Sequence, residues 1–394
     1  MDTEYSQIEI NHMQLAIELA EKAAGLNRQN PLVGAVVAKG EDVISSGYHL
    51  YDNVEHAERI AIRKAAENAK GAVLYVNLEP CVHHGRTPPC VDAIIESGIA
   101  KVFFSIKDPD ERVNGKSEKL LNDAGIGVDC GLLSDTASEL NRHYLKVKNT
   151  GLPWVIVKVA TSLDGRIGIK NIPGEYFSCD ESLRISHMLR ALCDGIMVGA
   201  NTIRIDNPRL TCRLGSFSHV REKIEPGAVY PQPIGTANPV RITISRDLNI
   251  PVESNFLKTS HARSVAITGN DTSDEKINML KEKGVEVLTV PKDGNQLDIH
   301  NALEKLVQIG IYSLVVEGGG ELIGSLIRKQ LVDEIYIAIA PVIMGDKNTI
   351  SWISWDITQH VKDAPELNNV FVFKAGRDLV IRGRFSAVQN KPIL

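Results

Sequence analysis

The sequence predicts an α/β protein of more than one domain. Short apolar runs with strand character alternate with segments of helical period. A polar stretch ending in Gly and Pro, Val147 to Pro153, interrupts that alternation. The chain has 394 residues, and at roughly 150 residues per domain this suggests two or three domains. Hydrophobic residues make up 43% and charged residues 24%, which excludes a disordered or collagen-like chain.

Residues 12–26 place Met13, Ala16, Ile17, Ala20 and Ala24 at helical spacing, and Asn30-Pro31 breaks the helix. Residues 32–40 read as a strand with a turn at Lys39-Gly40, and 42–49 as its hairpin partner. Residues 56–69 follow as a helix, 71–79 as an apolar strand, 89–98 as a helix and 101–108 as another strand. The boundary near 147–153 leads into strand and loop at 154–167, a helix at 180–194 and a strand-to-loop passage at 195–203. Further strands are expected at 239–245, 264–268, 285–290, 312–320 and 334–343. Arg213 to Asn238 carries several Pro and Gly with no clear period, which predicts an irregular surface insertion.

The net charge is −5, so the whole chain has no pull toward nucleic acid or anionic membrane. No apolar run approaches the ~18 residues of a membrane span. The start, Met1-Asp2-Thr3-Glu4-Tyr5, is acidic and polar, unlike a secretory signal. A cytoplasmic location is expected. Six Cys in this length are too sparse for a disulfide-stapled fold, and read as thiols or metal ligands.

His56-Ala57-Glu58 opens one expected helix, Pro80-Cys81 closes a strand, and Cys90 opens the next helix. Zinc prefers thiolate and imidazole in a tetrahedral array, and three protein ligands leave a position for water. The metal brings the pKa of that water toward ~7. Glu58, two residues from His56, is placed to move the proton. An H-x-E followed by P-C is the pattern of zinc-dependent base deaminases. A structural zinc site stays open as the alternative, because His83 or His84, between the two Cys, would close the tetrahedron. In the second half, Val316-Glu317-Gly318-Gly319-Gly320-Glu321-Leu322 ends an apolar strand. Such a turn brings backbone N–H groups to a phosphate, but it also serves merely to redirect a chain, and it is not a G-x-G-x-x-G fingerprint.

The run Leu78-Glu79-Pro80-Cys81-Val82-His83-His84-Gly85-Arg86-Thr87-Pro88-Pro89-Cys90 closely resembles the deaminase half of the bifunctional riboflavin-biosynthesis deaminase/reductases. Asn30-Pro31-x-Val33-Gly34, His56-Ala57-Glu58, Asp108-Pro109, Gly115-Lys116 and Ala124-Gly125-Ile126 match in the same order. Lys158 to Ile167, Asn201 to Arg213 and Val316 to Leu322 resemble the reductase half. The resemblance covers nearly the whole chain. It implies a cytidine-deaminase-like αβα sandwich over residues 1–146 and a dihydrofolate-reductase-like domain over 151–394. It implies hydrolytic deamination of 2,5-diamino-6-ribosylamino-4(3H)-pyrimidinone 5′-phosphate, then NADPH-dependent reduction of the ribosyl to a ribityl chain.

On that analogy His56, Cys81 and Cys90 hold Zn²⁺, Glu58 is catalytic, and Asn30, His83 and Lys116 contact base or phosphate. The cofactor contacts implied are Ala160, Tyr176, Thr202, Asp206, Arg246, Gly319, Gly320, Glu321, Leu322, Ile323, Gly324 and Ser325. Gly174, Arg190, Leu210, Arg213 and Glu317 line the reductase substrate site, where an Arg pair suits a phosphate. The expected partners are small pyrimidine ribosyl phosphates and a second copy paired through the reductase half, with no nucleic acid and no membrane.

The family pattern is not followed everywhere. Arg59 stands where Val is usual, and Asp110-Glu111 follows Asp108-Pro109 in place of Asn-Pro. Tyr176-Phe177-Ser178-Cys179 replaces a Trp-Ile-Thr-Ser stretch, which keeps an aromatic ring for the cofactor. Ser245-Arg246 replaces Asp-Ser, and Arg246 suits the 2′-phosphate of NADPH. These changes in the second half keep a second reading open, a deaminase whose C-terminal half only binds or assembles. A deaminase working on nucleic acid would need a basic groove with interleaved aromatics, and aromatics are only 5% here.

Overall fold

The computed structural model describes residues 5–174, 177–345, 347–354, 362 and 364–385. The chain divides into two compact units, Met1–Gly151 with Tyr230–Gly235, and Leu152–Val229 with Thr236–Leu394.

The first unit opens with α1 (Gln7–Glu21). Ser6 caps it and Glu9 returns the bond, a reciprocal capping box that starts the helix five residues before the apolar period becomes visible. Its buried face, Met13, Ala16, Ile17 and Ala20, packs on β1 (Gly34–Lys39). The approach is close enough that a Cβ on Gly34 would overlap the Ala16 carbonyl. β2 (Asp42–Tyr48) and α2 (Ala57–Ala65) follow, then β3 (Val73–Val76), α3 (Cys90–Glu96), β4 (Lys101–Phe104), α4 (Lys116–Asp123) and β5 (Gly127–Cys130). α5 (Ser134–Leu140) and α6 (Arg142–Thr150) complete the run. The sheet order is β2-β1-β3-β4-β5, with β3, β4 and β5 parallel and β1 antiparallel to both its neighbours.

Two buried amides position the entry to β1. The Asn77 and Asn141 amides both donate to Leu32 O, while their side-chain oxygens accept from Gly34 N and Leu32 N. They fix the segment that carries Asn30. Val147 to Thr150, expected to lie at the domain boundary, forms the last turn of α6, and Gly151 ends it in the left-handed conformation. The polar residues there are the solvent face of a helix.

The second unit is built on β6 (Trp154–Ser162), with β7 (Arg166–Ile169), α7 (Asp180–Leu192), β8 (Gly195–Gly199), α8 (Ala200–Asp206) and β9 (Val240–Ile244) next. β10 (Ser264–Gly269), α9 (Asp274–Glu282), β11 (Glu286–Val290), β12 (Lys292–Asp293), β13 (Gln296–Leu297) and α10 (Ile299–Gln308) continue it. β14 (Ser313–Val316), α11 (Gly320–Arg328), β15 (Glu334–Ala340), β16 (Thr349–Ser351), β17 (Leu367–Ala375) and β18 (Asp378–Phe385) end it. The main sheet runs β11-β10-β9-β8-β14-β6-β15-β18-β17, parallel up to β15 and antiparallel beyond. Central strands such as Ser313-Leu314-Val315-Val316 are buried throughout, as strands of a covered parallel sheet must be. Val155, Val157, Leu314 and Val316 join Leu303, Leu306, Ile323 and Leu326 from α10 and α11 in one core.

The segment expected as an irregular surface insertion is more ordered than its composition suggested. Residues Leu214–Lys223 form 3₁₀ turns, and Val220, Ala228 and Val229 are buried. Residues 230–235 belong to the first unit. There the Tyr230 hydroxyl donates to Glu21, Ile234 N donates to Ala24 O, and Arg142 donates to Tyr230 O. Isolated apolar residues with no period carry no signal in a sequence reading, yet they still reach a core.

Candidate active sites

The metal triad sits at three element ends. His56 occupies the N-cap position of α2, Cys81 lies on the connection leaving β3, and Cys90 is the first residue of α3. The N–H groups of Cys90 and Val91 both donate to Cys81 O, and Cys90 N also reaches the Cys81 sulfur at 3.3 Å. The free start of α3 thus folds the Cys81 segment onto itself. His56 Nδ1 lies 3.5 Å from Cys81 Sγ and 3.3 Å from Cys90 Sγ, and the three ligand atoms all fall within 4.8 Å of one another. Tetrahedral zinc with bonds of ~2.3 Å to sulfur and ~2.0–2.1 Å to nitrogen needs such ligands about 3.5 Å apart. The donor set and spacing therefore fit zinc.

The protonation pattern matches. The Cys81 thiol is pushed down, first by its hydrogen bond with Cys90 and then by His56, while the same bond and burial push Cys90 up. Thiol ligands bind a metal as thiolates, so metal binding here would release protons. Glu58 is buried in the first turn of α2, and its carboxyl is pushed up chiefly by burial.

Around the triad, His49 packs its ring edge-on to His56 at 5.4 Å. Its Nε2 meets the Asn30 amide at 3.0 Å, and its Nδ1 meets Glu55 O at 3.0 Å. In the loop between the two Cys, His83 Nδ1 is buried with no hydrogen-bond partner among the described residues. Glu79 accepts from the backbone N–H groups of Asp108, Gly115 and Ser117 and from the Ser117 hydroxyl. It ties the loop after β4 to the segment two residues before Cys81.

A second constellation is made by the large sheet. Val157 of β6 lies opposite Val316 of β14, so Lys158 and Glu317 follow in adjacent register. Arg190, in the last turn of α7, donates through Nε and Nη2 to the two Glu317 oxygens at 2.8 and 2.7 Å, and through Nη1 to Thr211 O. One turn earlier, His187 Nδ1 accepts from Arg213 N at 3.0 Å. Arg213 Nη1 reaches the Thr211 hydroxyl at 3.1 Å. Burial alone would raise Glu317, but the Arg190 charge and hydrogen bonds, with Lys158, leave it below its ordinary value. His187 is pushed down to about 3, first by burial and then by Arg190 and Arg213. Lys158 is lowered by burial.

Beside this cluster, Gly319 caps α11 at the carboxyl end of β14. A Cβ added there would meet nothing within 4 Å. The N–H groups of Leu322 and Ile323 return to Gly319 O, which leaves the N–H groups of Gly320 and Glu321 at the helix start. The terminus is open at Gly319 but closed at Gly320, where a Cβ would meet Ser351 O at 2.8 Å; a helix start after a parallel strand is the kind of place that suits a nucleotide phosphate. Asp206, the last residue of α8, accepts from Gly174 N at 2.9 Å.

Comparison with known proteins decides what these sites belong to. Residues 6–106 match the family model of the cytidine and deoxycytidylate deaminase zinc-binding region, and residues 153–380 match that of the RibD C-terminal domain. The riboflavin biosynthesis protein RibD of Bacillus amyloliquefaciens is 36% identical over 93% of this chain and 94% of its own. The chain belongs to the RibD family. The structure of Acinetobacter baumannii RibD superposes with a TM-score of 0.83 at 28% identity, covering 96% of this chain and 99% of that one. A Thermotoga maritima diaminohydroxyphosphoribosylaminopyrimidine deaminase/5-amino-6-(5-phosphoribosylamino)uracil reductase gives 0.78, at the same identity and coverage. The fold is accordingly a cytidine-deaminase-like αβα sandwich followed by the dihydrofolate-reductase-like RibD C-terminal domain. The chain is a bifunctional deaminase/reductase of riboflavin biosynthesis, using zinc in one half and NADPH in the other.

Of the expected RibD deaminase residues, the structure gathers His56, Cys81, Cys90 and Glu58, with Asn30 joined through His49. Lys116 makes a local contact, Nζ to Glu111 O. In the reductase half, Arg190, Glu317 and Arg213 form one cluster, with Leu210 buried next to Thr211. Ala160 lies two residues beyond Lys158 on β6, and Thr202 lies in the first turn of α8. Arg246 donates to Asn295 O, and Ser325 to Gln296. Leu322, Ile323 and Gly324 are buried, while Glu321 is exposed. Tyr176 lies outside the described residues. The reading of the sequence missed His49, Glu79, Lys158 and His187. Glu79 stood inside the family run Leu78 to Cys90, and Lys158 was a lone charge inside an apolar strand, while His49 and His187 carried no signal.

Proposed function

We propose that the first unit removes the exocyclic amino group of 2,5-diamino-6-ribosylamino-4(3H)-pyrimidinone 5′-phosphate, taking up water and releasing ammonia. We assign to the second unit the reduction of the deaminated product to 5-amino-6-ribitylaminouracil 5′-phosphate. The observation that carries the first step is the imidazole–thiolate–thiolate triad with a buried carboxylate one residue inside α2. His56, Cys81 and Cys90 would hold zinc, which supplies a Lewis acid that acidifies water. Glu58 would take a proton at its carboxylate and pass it to the leaving amino group, burial having lifted its pKa toward that task. Asn30, steadied by His49, and His83, with its unpartnered Nδ1, would hold the base.

In the second unit NADPH would supply the hydride. Asp206, Thr202 and the start of α11 would seat it, with Arg246 near the 2′-phosphate, while Gly174, held on Asp206, would line the substrate site. Arg190 has committed its fork to Glu317, so it orients that carboxylate, and Lys158 helps keep it ionised. Arg213 is then the cation for the substrate phosphate. Pairing of two copies is favoured by β17, an edge strand with Val370, Phe371 and Val372 exposed. Among the described residues no helix is long and apolar enough to cross a membrane.

The test follows ammonia and NADPH together on the diaminopyrimidine ribosyl phosphate. Equal release and consumption is the expected result. Ammonia without NADPH loss would reduce the second unit to binding or assembly.

A further inference from the structure

We propose that His187 is a positioning residue of the reductase site: its Nδ1 holds the main chain of Arg213, so that the guanidinium meets the substrate phosphate. This rests on the reading of Arg213 given above. The segment that carries Arg213 belongs to no sheet, so its N–H and C=O groups must be satisfied by other means. Three side chains of α7 do this, each one turn from the next on one face of the helix. Arg190 donates to Thr211 O at 3.1 Å. His187 accepts from Arg213 N at 3.0 Å, and its own carbonyl oxygen accepts from the Cys212 thiol at 3.6 Å. Arg184 donates to Leu214 O at 3.4 Å and to Phe217 O at 3.3 Å. Residues 211–217 are thereby laid antiparallel along α7.

Within that grip only the imidazole can receive an N–H, because guanidinium groups donate and never accept. Since Nδ1 accepts, the ring proton sits on Nε2. Burial, then the Arg190 and Arg213 charges, keep the ring neutral, so the acceptor is present at neutral pH. His187 is 3% exposed, and Phe217 stacks on its ring with centroids 5.1 Å apart and planes at 26°. Just upstream, Leu210 has φ of 53°, a left-handed backbone that a bulky side chain adopts at a cost. Such a conformation persists where its surroundings over-determine it, and the α7 contacts that follow do so. The Arg213 side chain turns back to the Thr211 hydroxyl, on the same gripped segment. An arginine ordered in advance loses less freedom when a phosphate arrives.

The experiment measures the reductase KM for the deaminated ribosyl phosphate and for its dephosphorylated form. The proteins are wild type, His187→Leu, His187→Asn, His187→Gln and Arg213→Ala. Equilibrium binding of both compounds without NADPH is measured alongside, with the KM for NADPH and ammonia release. His187→Leu should raise KM and Kd for the phosphorylated compound roughly tenfold. The dephosphorylated compound, the KM for NADPH and ammonia release should not move. Asn puts an oxygen on Cγ where Nδ1 stood, and should recover most of the loss. Gln carries the same amide one carbon further out and should not, a contrast that stands even where the Leu variant fails to fold. A KM raised by Arg213→Ala but not by His187→Leu, an equal loss for both compounds, or Asn and Gln behaving alike overturns the positioning role. Arg213→Ala without effect on the phosphorylated compound removes the reading of Arg213, and the positioning role with it. Wild type that binds this compound in a His187-dependent way but consumes no NADPH loses the reductase reading and keeps the positioning role.

Discussion

The two units assemble their sites in opposite ways. In the deaminase unit the ligands and proton carrier fall between His56 and Cys90, on the ends of α2, β3 and α3. Their chemistry is set by residue type and by short-range element ends. In the reductase unit, Arg190 and Glu317 are 127 residues apart and meet only because α7 lies against the sheet that carries β14. That site is a buried charge network, and its members depend on one another. A local donor cluster is expected to lose chemistry while keeping its fold. A distributed charge network is expected to lose both.

The sharpest test of this contrast is Glu58→Gln. Loss of a positioned acid–base group should cut ammonia release by about 10²–10⁴-fold, with zinc content and reduction of the deaminated substrate unchanged. A parallel loss of both activities would break the contrast. Arg190→Ala comes next. It strands the buried Glu317 carboxylate, and breaking such a pair costs about 3–5 kcal/mol. The denaturation midpoint of the reductase unit should fall, and reduction with it, while bound zinc stays. An unchanged midpoint would show that the pair is solvated and the network loose.

The smallest effect is a pH dependence. His187, held at about 3 in the fold, has an ordinary value near 6.5 once unfolded. Below pH 6.5 the unfolded chain binds a proton that the folded one refuses, because Lys158, Arg190 and Arg213 face the ring, with Glu317 the only opposing charge among the groups that act on it. Its contribution is complete above pH 6.5 and declines as pH falls toward 3, by up to about 1.4 kcal/mol per pH unit. His187→Asn should flatten that slope between pH 6.5 and 5. An identical slope in wild type and variant would remove His187 from the account.

How far the sequence was legible follows the same contrast. The strands β8, β9, β10, β11, β14 and β15 were visible as apolar runs bounded by turns, since a covered parallel sheet needs that composition, whereas the two-residue strands β12 and β13 were not. The true start of α1 was written in Ser6 and Glu9 but hidden by the absence of an apolar period in that turn. The last turn of α6 read as a polar boundary because Asn149 and Thr150 are exposed, although Val147 in the same turn is buried. His49 gave no sign of its role, because only the hairpin end sets its ring against His56 and Asn30.

The sequence by itself determined the α/β class and a His–Cys–Cys donor set with Glu58 beside it, while the closing of that set at three ligands and the reductase chemistry came from the resemblance to a known family. Donor type, spacing and alternation of elements are local properties, and they survive without a partner in space. The tertiary structure alone decided which charges meet. Arg190 is bound to Glu317 and not left free for phosphate, and Lys158 sits beside that carboxylate through the register of β6 against β14. Arg28 and Arg86 converge on one ring far from either in sequence. Those pairings depend on long-range packing, which no short stretch of chain encodes.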